Sequence, residues 1–255
     1  MTEELFREDA TLLQCEAQVL AVDEVADASA APGTPPTRWV VLDRTVFYPL
    51  GGGQAGDAGT LVLPDGRTLA VVDTRKHKDR PGAIAHALAA SADIAGLAPG
   101  ATVTARIDAE RRRAHMRFHT ATHLLCALVP HPVDGCSITA GYARLDFHMN
   151  EPLDKEALTA GIARLVAEAH PVRHRWISEA ELDANPGLVR SMSVQPPRGQ
   201  GRVRVLEIEG VDLQPCGGTH VANTADIGRV VVTKIEKKSA MTRRVVLGFA
   251  DSAAG

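Results

Sequence analysis

The sequence predicts an α+β chain: a small β-barrel at the N-terminal end, then a region in which strands and helices mix. Three observations carry this. Short β-prone runs separated by turn residues fill roughly the first hundred of the 255 residues. Near Asp108 the pattern changes to a long helical stretch. Beyond it, strands and helices follow one another without a regular βαβ rhythm. The expected domains are therefore residues 1–107 and 108–255.

The elements follow in order. Thr11 to Val22 mixes alternating and apolar stretches, and the proline-rich Ala31 to Pro36 is expected to form a loop. Trp39 to Leu42 and Thr45 to Tyr48 are short β-prone runs. Thr60 to Leu63 and Thr68 to Asp73 flank Asp65-Gly66, the signature of a hairpin. Ala101 to Ile107 is a further strand. Asp108 before Ala109-Glu110-Arg111 is a helix N-cap with an acidic first turn, and the helix should run to about Leu128, before Pro130. Cys136 to Met149 reads as strands turning at Gly141. Leu153 to His170 is a second helix with Leu158, Ile162, Leu165 and Val166 on one face. Arg173 to Ile177 is a strand, Glu179 to Ala184 a short helix, and Met192 to Gly201 a loop. Val203 to Ile208, Gly228 to Lys234 and Arg244 to Phe249 are expected to complete a sheet, the last two as a hairpin.

Composition excludes several classes. Hydrophobic residues make up 45% and charged residues 23%, which is normal for a soluble globular chain. Aromatics are only 4%, which argues against nucleic-acid binding along a series of stacking platforms. Cys15, Cys126, Cys136 and Cys216 form no CxxC pair, so no disulfide framework is expected. The acidic N-terminus is no signal peptide, and no run reaches the roughly 20 apolar residues of a membrane span. A cytoplasmic protein without membrane partners is expected. The net charge is −3, yet the basic residues cluster: Arg111-Arg112-Arg113 with Arg117, Arg173 to Arg175, Arg75 to Arg80, and Lys234, Lys237, Lys238, Arg243 and Arg244. Each cluster alone suits a solvated surface; several around one cleft would suit a polyanion.

His119 and His123 lie four residues apart within the expected helix, on one face and about 6 Å apart along the axis. Roughly a hundred residues later comes Cys216-Gly217-Gly218-Thr219-His220. Either pair alone is more often an ordinary pair of surface or core residues. The residue after His119 is Thr120, so the zincin pattern with its glutamate is absent. Together, three imidazoles and a thiol make a tetrahedral Zn2+ set. Four protein ligands usually mark a closed, structural site, whereas a catalytic zinc keeps a position for water or substrate. A second unusual segment, Asp43 to Gly59, holds five glycines in nine residues from Gly51, with Gln54 among them. It lets the backbone approach a ligand closely, and it is neither a P-loop nor a dinucleotide fingerprint.

Thr45-Val46-Phe47-Tyr48-Pro49-Leu50-Gly51-Gly52-Gly53-Gln54-Ala55-Gly56-Asp57-Ala58-Gly59, then His119-Thr120-Ala121-Thr122-His123-Leu124-Leu125, then Cys216-Gly217-Gly218-Thr219-His220 resemble the ordered motifs of the alanyl-tRNA editing proteins (AlaX type) and of the editing domain of alanyl-tRNA synthetase. Gly82-Ala83-Ile84-Ala85-His86 and Arg144-Leu145-Asp146-Phe147 also resemble family positions. The resemblance implies the two-domain form, an N-terminal barrel followed by a zinc-containing α+β editing domain, with no ATP-dependent activation. It implies hydrolysis of the mischarged seryl ester on alanine tRNA, and of the glycyl ester as a further candidate. It makes His119, His123, Cys216 and His220 the zinc ligands. Cys216 as a nucleophile is an alternative that would give up the fourth donor. A site that admits serine cannot exclude the smaller alanine by size; it must require the hydroxyl, which can discriminate by about 10⁴–10⁵. Gln54 and Thr122 are the candidate hydroxyl partners, and helix packing is the plainer role for Thr122. The tRNA acceptor end becomes the expected partner of Arg111, Arg112, Arg113, Lys237, Lys238, Arg243 and Arg244.

Overall fold

The computed structural model describes residues 1–25, 36–192, 195–196, 199 and 201–250. The expected proline-rich loop lies outside the described residues apart from Pro36, as do parts of the Met192–Gly201 loop. The chain divides into two compact units, Met1–Gly51 with Ala55–Arg112, and Gly52–Gln54 with Arg113–Gly255.

In the first unit the strands are β1 (Glu3–Glu4), β2 (Gln14–Val25), β3 (Thr37–Leu42), β4 (Arg44–Thr45), β5 (Gly59–Val62), β6 (Thr68–Lys76), β7 (Ile84–Leu88) and β8 (Thr102–Ile107). Six of them close a barrel in the order β2-β3-β7-β6-β5-β8, while β1 and β4 pair in parallel. Alternation builds it. Leu69 and Val71 on β6, and Val103, Ala105 and Ile107 on β8, point into a core shared with Val40, Leu42 and Leu61. Bulges between Val19 and Ala21 and between Val71 and Asp73 bend the strands toward closure. The β5–β6 hairpin forms as expected, with Gly66 at φ 85 in its turn.

Two expectations change here. Of the Thr45–Tyr48 run only Thr45 is strand-paired, as the second residue of β4. Beyond it, Tyr48 N–H donates to the Asp57 carboxylate, and Asp57 N–H to Tyr48 O, in place of a ladder. Conversely β7 has no counterpart in the sequence reading. Its five residues are all buried, so it shows no alternation to read.

After β8 comes α1 (Ala109–Leu128), whose residues from Arg113 on belong to the second unit, and Asp108 Oδ1 accepts from Arg111 N–H at its start. Then come β9 (Val133–Ile138), β10 (Ala143–His148), α2 (Lys155–Ala167), β11 (Val172–Ser178), α3 (Glu179–Ala184), β12 (Arg202–Ile208), β13 (Asp212–Pro215), β14 (Val230–Ser239) and β15 (Thr242–Phe249). The second helix is shorter than expected at both ends. Asp154 caps it through Ala157 N–H, and Ala169 at φ 56 turns the chain away. The three C-terminal runs do not complete one sheet. β14 and β15 form the expected hairpin within a four-stranded sheet, β14-β15-β10-β9. β12 instead pairs with β11 and β13 in a separate three-stranded sheet, because the turn at Gly210 (φ 71) sends Asp212–Pro215 straight back along it.

Candidate metal centre

His119 and His123 project from one face of α1, their ring centroids 5.6 Å apart. Cys216 and His220 come from the loop after β13. The four donor atoms lie within 4.8 Å of one another. Cys216 Sγ is 3.5 Å from His119 Nε2 and 3.2 Å from His220 Nε2. A tetrahedral zinc with bonds of about 2.0 Å to nitrogen and 2.3 Å to sulfur needs its donors roughly 3.3–3.7 Å apart, close to the two separations from Cys216 Sγ, and the donor types suit the ion.

The imidazole orientations are fixed from behind, each by a different group. His119 Nδ1–H donates to Gln54 Oε1 at 2.7 Å. His123 Nδ1–H donates to Asp212 Oδ2 at 2.8 Å. The Thr120 hydroxyl donates to Met116 O, so it accepts from His220 Nδ1–H at 3.2 Å. With every Nδ1 engaged by one of these groups, every Nε2 faces the centre, the orientation that ligates a metal. Charge agrees. Burial raises the Cys216 thiol, but His119 and His220 pull it well below its usual value. Burial disfavours charge on His123, yet Asp212 and Cys216 lift it to about 10, so the thiolate favours a proton on this ring that a bound cation would replace, while burial holds His220 near 3. A thiolate among buried imidazoles is a place for one cation.

Two glycine positions make this geometry possible. A Cβ on Gly218 would lie 2.1 Å from His119 Cε1, so only glycine lets the loop pass over that ring. Gly53, at φ 85, brings its backbone against Cys136, and Ile138 N–H donates to Gly53 O. The turn delivers Gln54 beneath His119. Arg204 secures the loop, its Nη1 donating to Cys216 O and Gly218 O.

Known proteins share this chain's sequence over most of its length. Residues 2–111 match the family of class II (A) tRNA synthetases, and residues 203–246 match the second additional domain of threonyl and alanyl tRNA synthetase. The alanyl-tRNA editing protein AlaX-M of Methanosarcina barkeri is 34% identical over 98% of this chain and 100% of its own length. The chain belongs to the AlaX-type alanyl-tRNA editing proteins. AlaX-M of Methanosarcina mazei is 32% identical over 100% of this chain and 99% of its own. The alanine–tRNA ligase of Metallosphaera sedula is 38% identical over 78% of this chain, which corresponds to 22% of that enzyme.

The structure of this AlaX-type chain sorts the residues named from sequence. His119, His123, Cys216 and His220 come together. Gln54 is fully buried: its carbonyl oxygen accepts from His119 Nδ1–H and Thr219 N–H, and its amide donates to Thr219 Oγ1. Its first duty is therefore to the histidine rather than to an incoming hydroxyl. Thr122 is buried and donates to His119 O, the local bond of a threonine inside a helix. Arg112 is corrected as a phosphate contact. It is 1% exposed, ion-paired with Asp57 and bonded to Val46 O and Ala10 O. Arg243 is corrected likewise, being buried with its guanidinium on Ser239 O and Asn150 O. Arg111 donates to Gly56 O, and Arg244 pairs with Asp146. Arg113, Lys237 and Lys238 are exposed. Sequence reasoning missed Asp212, Thr120 and Arg204. For Asp212 a signal existed: it stands four residues before Cys216, on the same face of an extended strand.

Proposed function

We propose that the chain is a zinc-dependent aminoacyl-tRNA deacylase that clears mischarged serine, with glycine as a second substrate, from alanine tRNA in trans. The observation that supports it best is the buried cluster of three Nε2 donors and one thiolate in a member of an alanyl-tRNA editing family. His119, His123, Cys216 and His220 would hold the ion, and a zinc bound there would supply Lewis acidity to the ester carbonyl by expanding its coordination beyond these four donors. Hydrolysis adds water to that carbonyl, breaks the ester C–O bond, and returns the proton to the ribose hydroxyl. Gln54 can still offer the amide hydrogen not used by Thr219, and Thr122 the lone pairs of its oxygen, to a serine hydroxyl. The barrel of residues 1–107 and the metal-bearing residues 108–255 would act as two domains, with Gly52–Gln54 counted with the second. The tRNA acceptor end would meet Arg113, Lys237 and Lys238, assisted by Arg111 and Arg244. No ATP is needed for such a reaction.

The test is deacylation of seryl-, glycyl- and alanyl-tRNA(Ala), with and without a chelator. Release of serine that stops with chelation and returns with zinc is expected. No release of serine overturns the reading and leaves a zinc-stabilised tRNA-binding module. Equal release of alanine overturns only the hydroxyl requirement.

A further inference from the structure

The three-stranded sheet β11-β12-β13 has two unlike faces. On one, Ile177, Val203, Val205 and Leu213 pack with Leu182 of α3. The other carries Asp212 and Gln214, and it leads to Cys216. Register extends that second face across the sheet. Trp176 lies opposite Arg204. Val205 lies opposite Pro215, and Cys216 N–H donates to Arg204 O, which sets Cys216 opposite Arg204 on the other side. Opposed residues in an antiparallel ladder project to the same face. Trp176, Arg204 and Cys216 therefore stand abreast, with the backbones of Trp176 and Cys216 about 10 Å apart, two strand spacings.

Trp176 sits on the edge strand and is 39% exposed. The guanidinium of Arg202, also exposed, lies 4.4 Å over its ring. His174 is exposed two residues earlier on the same face. An exposed indole with a cation on it, beside a buried hydrolytic centre, is the combination that holds an unpaired nucleobase. With two tryptophans in the chain there is no series of platforms, but a single nucleoside needs only one.

We propose that Trp176, with Arg202, is the stacking platform for an unpaired nucleobase at the 3′ end of the tRNA, so that the esterified ribose reaches across Arg204 to the Cys216 side of the face. Trp176 is thus a positioning residue, and the identity of its ligand rests on the editing reading. Removing the stack by alanine substitution corresponds to about a 5- to 150-fold weakening.

The experiment uses the full chain with Trp39→Phe, so that Trp176 is the sole tryptophan. Saturable quenching of its emission by an uncharged minihelix ending in CCA is expected. Trp176→Ala should raise KM for seryl-tRNA about 5- to 150-fold with kcat and zinc content unchanged, and Trp176→Phe should restore most of the loss. Absent quenching overturns the platform, whether or not ester is cleaved. So does an unchanged KM in Trp176→Ala, or a joint fall of kcat and zinc content at constant KM, which marks a structural residue. A Trp39→Phe protein that shows the quenching, while neither it nor the wild type releases serine, overturns the editing reading and leaves the platform standing.

Discussion

Asp212 and Gln54 both accept from an imidazole Nδ1, but only Asp212 carries charge. Asp212 also receives Gln214 Nε2 at 2.9 Å and lies 3.7 Å from Arg190, so its carboxylate is held in place. Asp212→Asn keeps the volume and removes the charge that raises the basicity of His123. Zinc affinity should fall about 10- to 100-fold in competition with a chromophoric chelator. Gln54→Ala should lower zinc affinity over the same range, because His119 loses its anchor. Full zinc content in Gln54→Ala would return Gln54 to substrate recognition alone. Gln54 stood out in its glycine-rich segment and Asp212 stands four residues before Cys216, but their contacts with the imidazoles could not be read from the sequence, whereas the ligands could. His119 and His123 repeat with the helical period, and Cys216 and His220 fall within one short loop. The Asp212–His123 contact joins residues 89 apart, and only folding brings them together.

Among the elements, β7 holds a second informative histidine. His86 is wholly buried, with Nδ1 donating to Val40 O and Nε2 accepting from Thr45 Oγ1. Burial drives its pKa from 6.5 to about 4. Between those values the unfolded chain binds the extra proton, so stability declines as pH falls from about 6.5 to about 4, by roughly 3 kcal/mol in all. Denaturation followed across that window should show the slope, and His86→Gln should flatten it. A slope that persists in the variant assigns it to another group. Gly218 offers a sharper test of the ligand loop. Gly218→Ala must displace the loop or the His119 ring, and we expect loss of bound zinc with little change in secondary structure. Helix α1 was legible because Asp108 caps it and Pro130 follows it. β7 was not, since a strand buried on both faces carries no period. β13 was not, because four residues are too few to show one.

At the scale of the whole molecule, two bulk properties follow. A ligand that binds only the folded state adds stability by mass action, about 2.7 kcal/mol at a free concentration of 100 Kd. Chelation should therefore lower Tm measurably, and added zinc should restore it. Binding to tRNA should weaken with salt, since neutralised phosphates release counterions. Charge reversal at Lys237 and Lys238 should reduce the slope of log K against log salt by about one for each phosphate no longer neutralised. Arg112→Ala should leave that slope unchanged and destabilise the fold, because it strands the buried Asp57 carboxylate. The α+β character and the barrel strands were visible in the sequence. The split between two sheets was not, because it depends on which strand the chain beyond Gly210 returns to.

The three Nδ1 bonds also bear on how the protein handles metal supply. Side chains that are ordered before an ion arrives lose little rotational freedom on capturing it. Each imidazole here is braced by a group of the fold that does not touch the ion's place. Withdrawal of the metal should leave a standing cage rather than an unravelled loop, and reloading should need no refolding. Such a centre can be emptied and recharged as free zinc falls and rises, so the deacylase would track zinc availability on the timescale of ion exchange instead of protein synthesis.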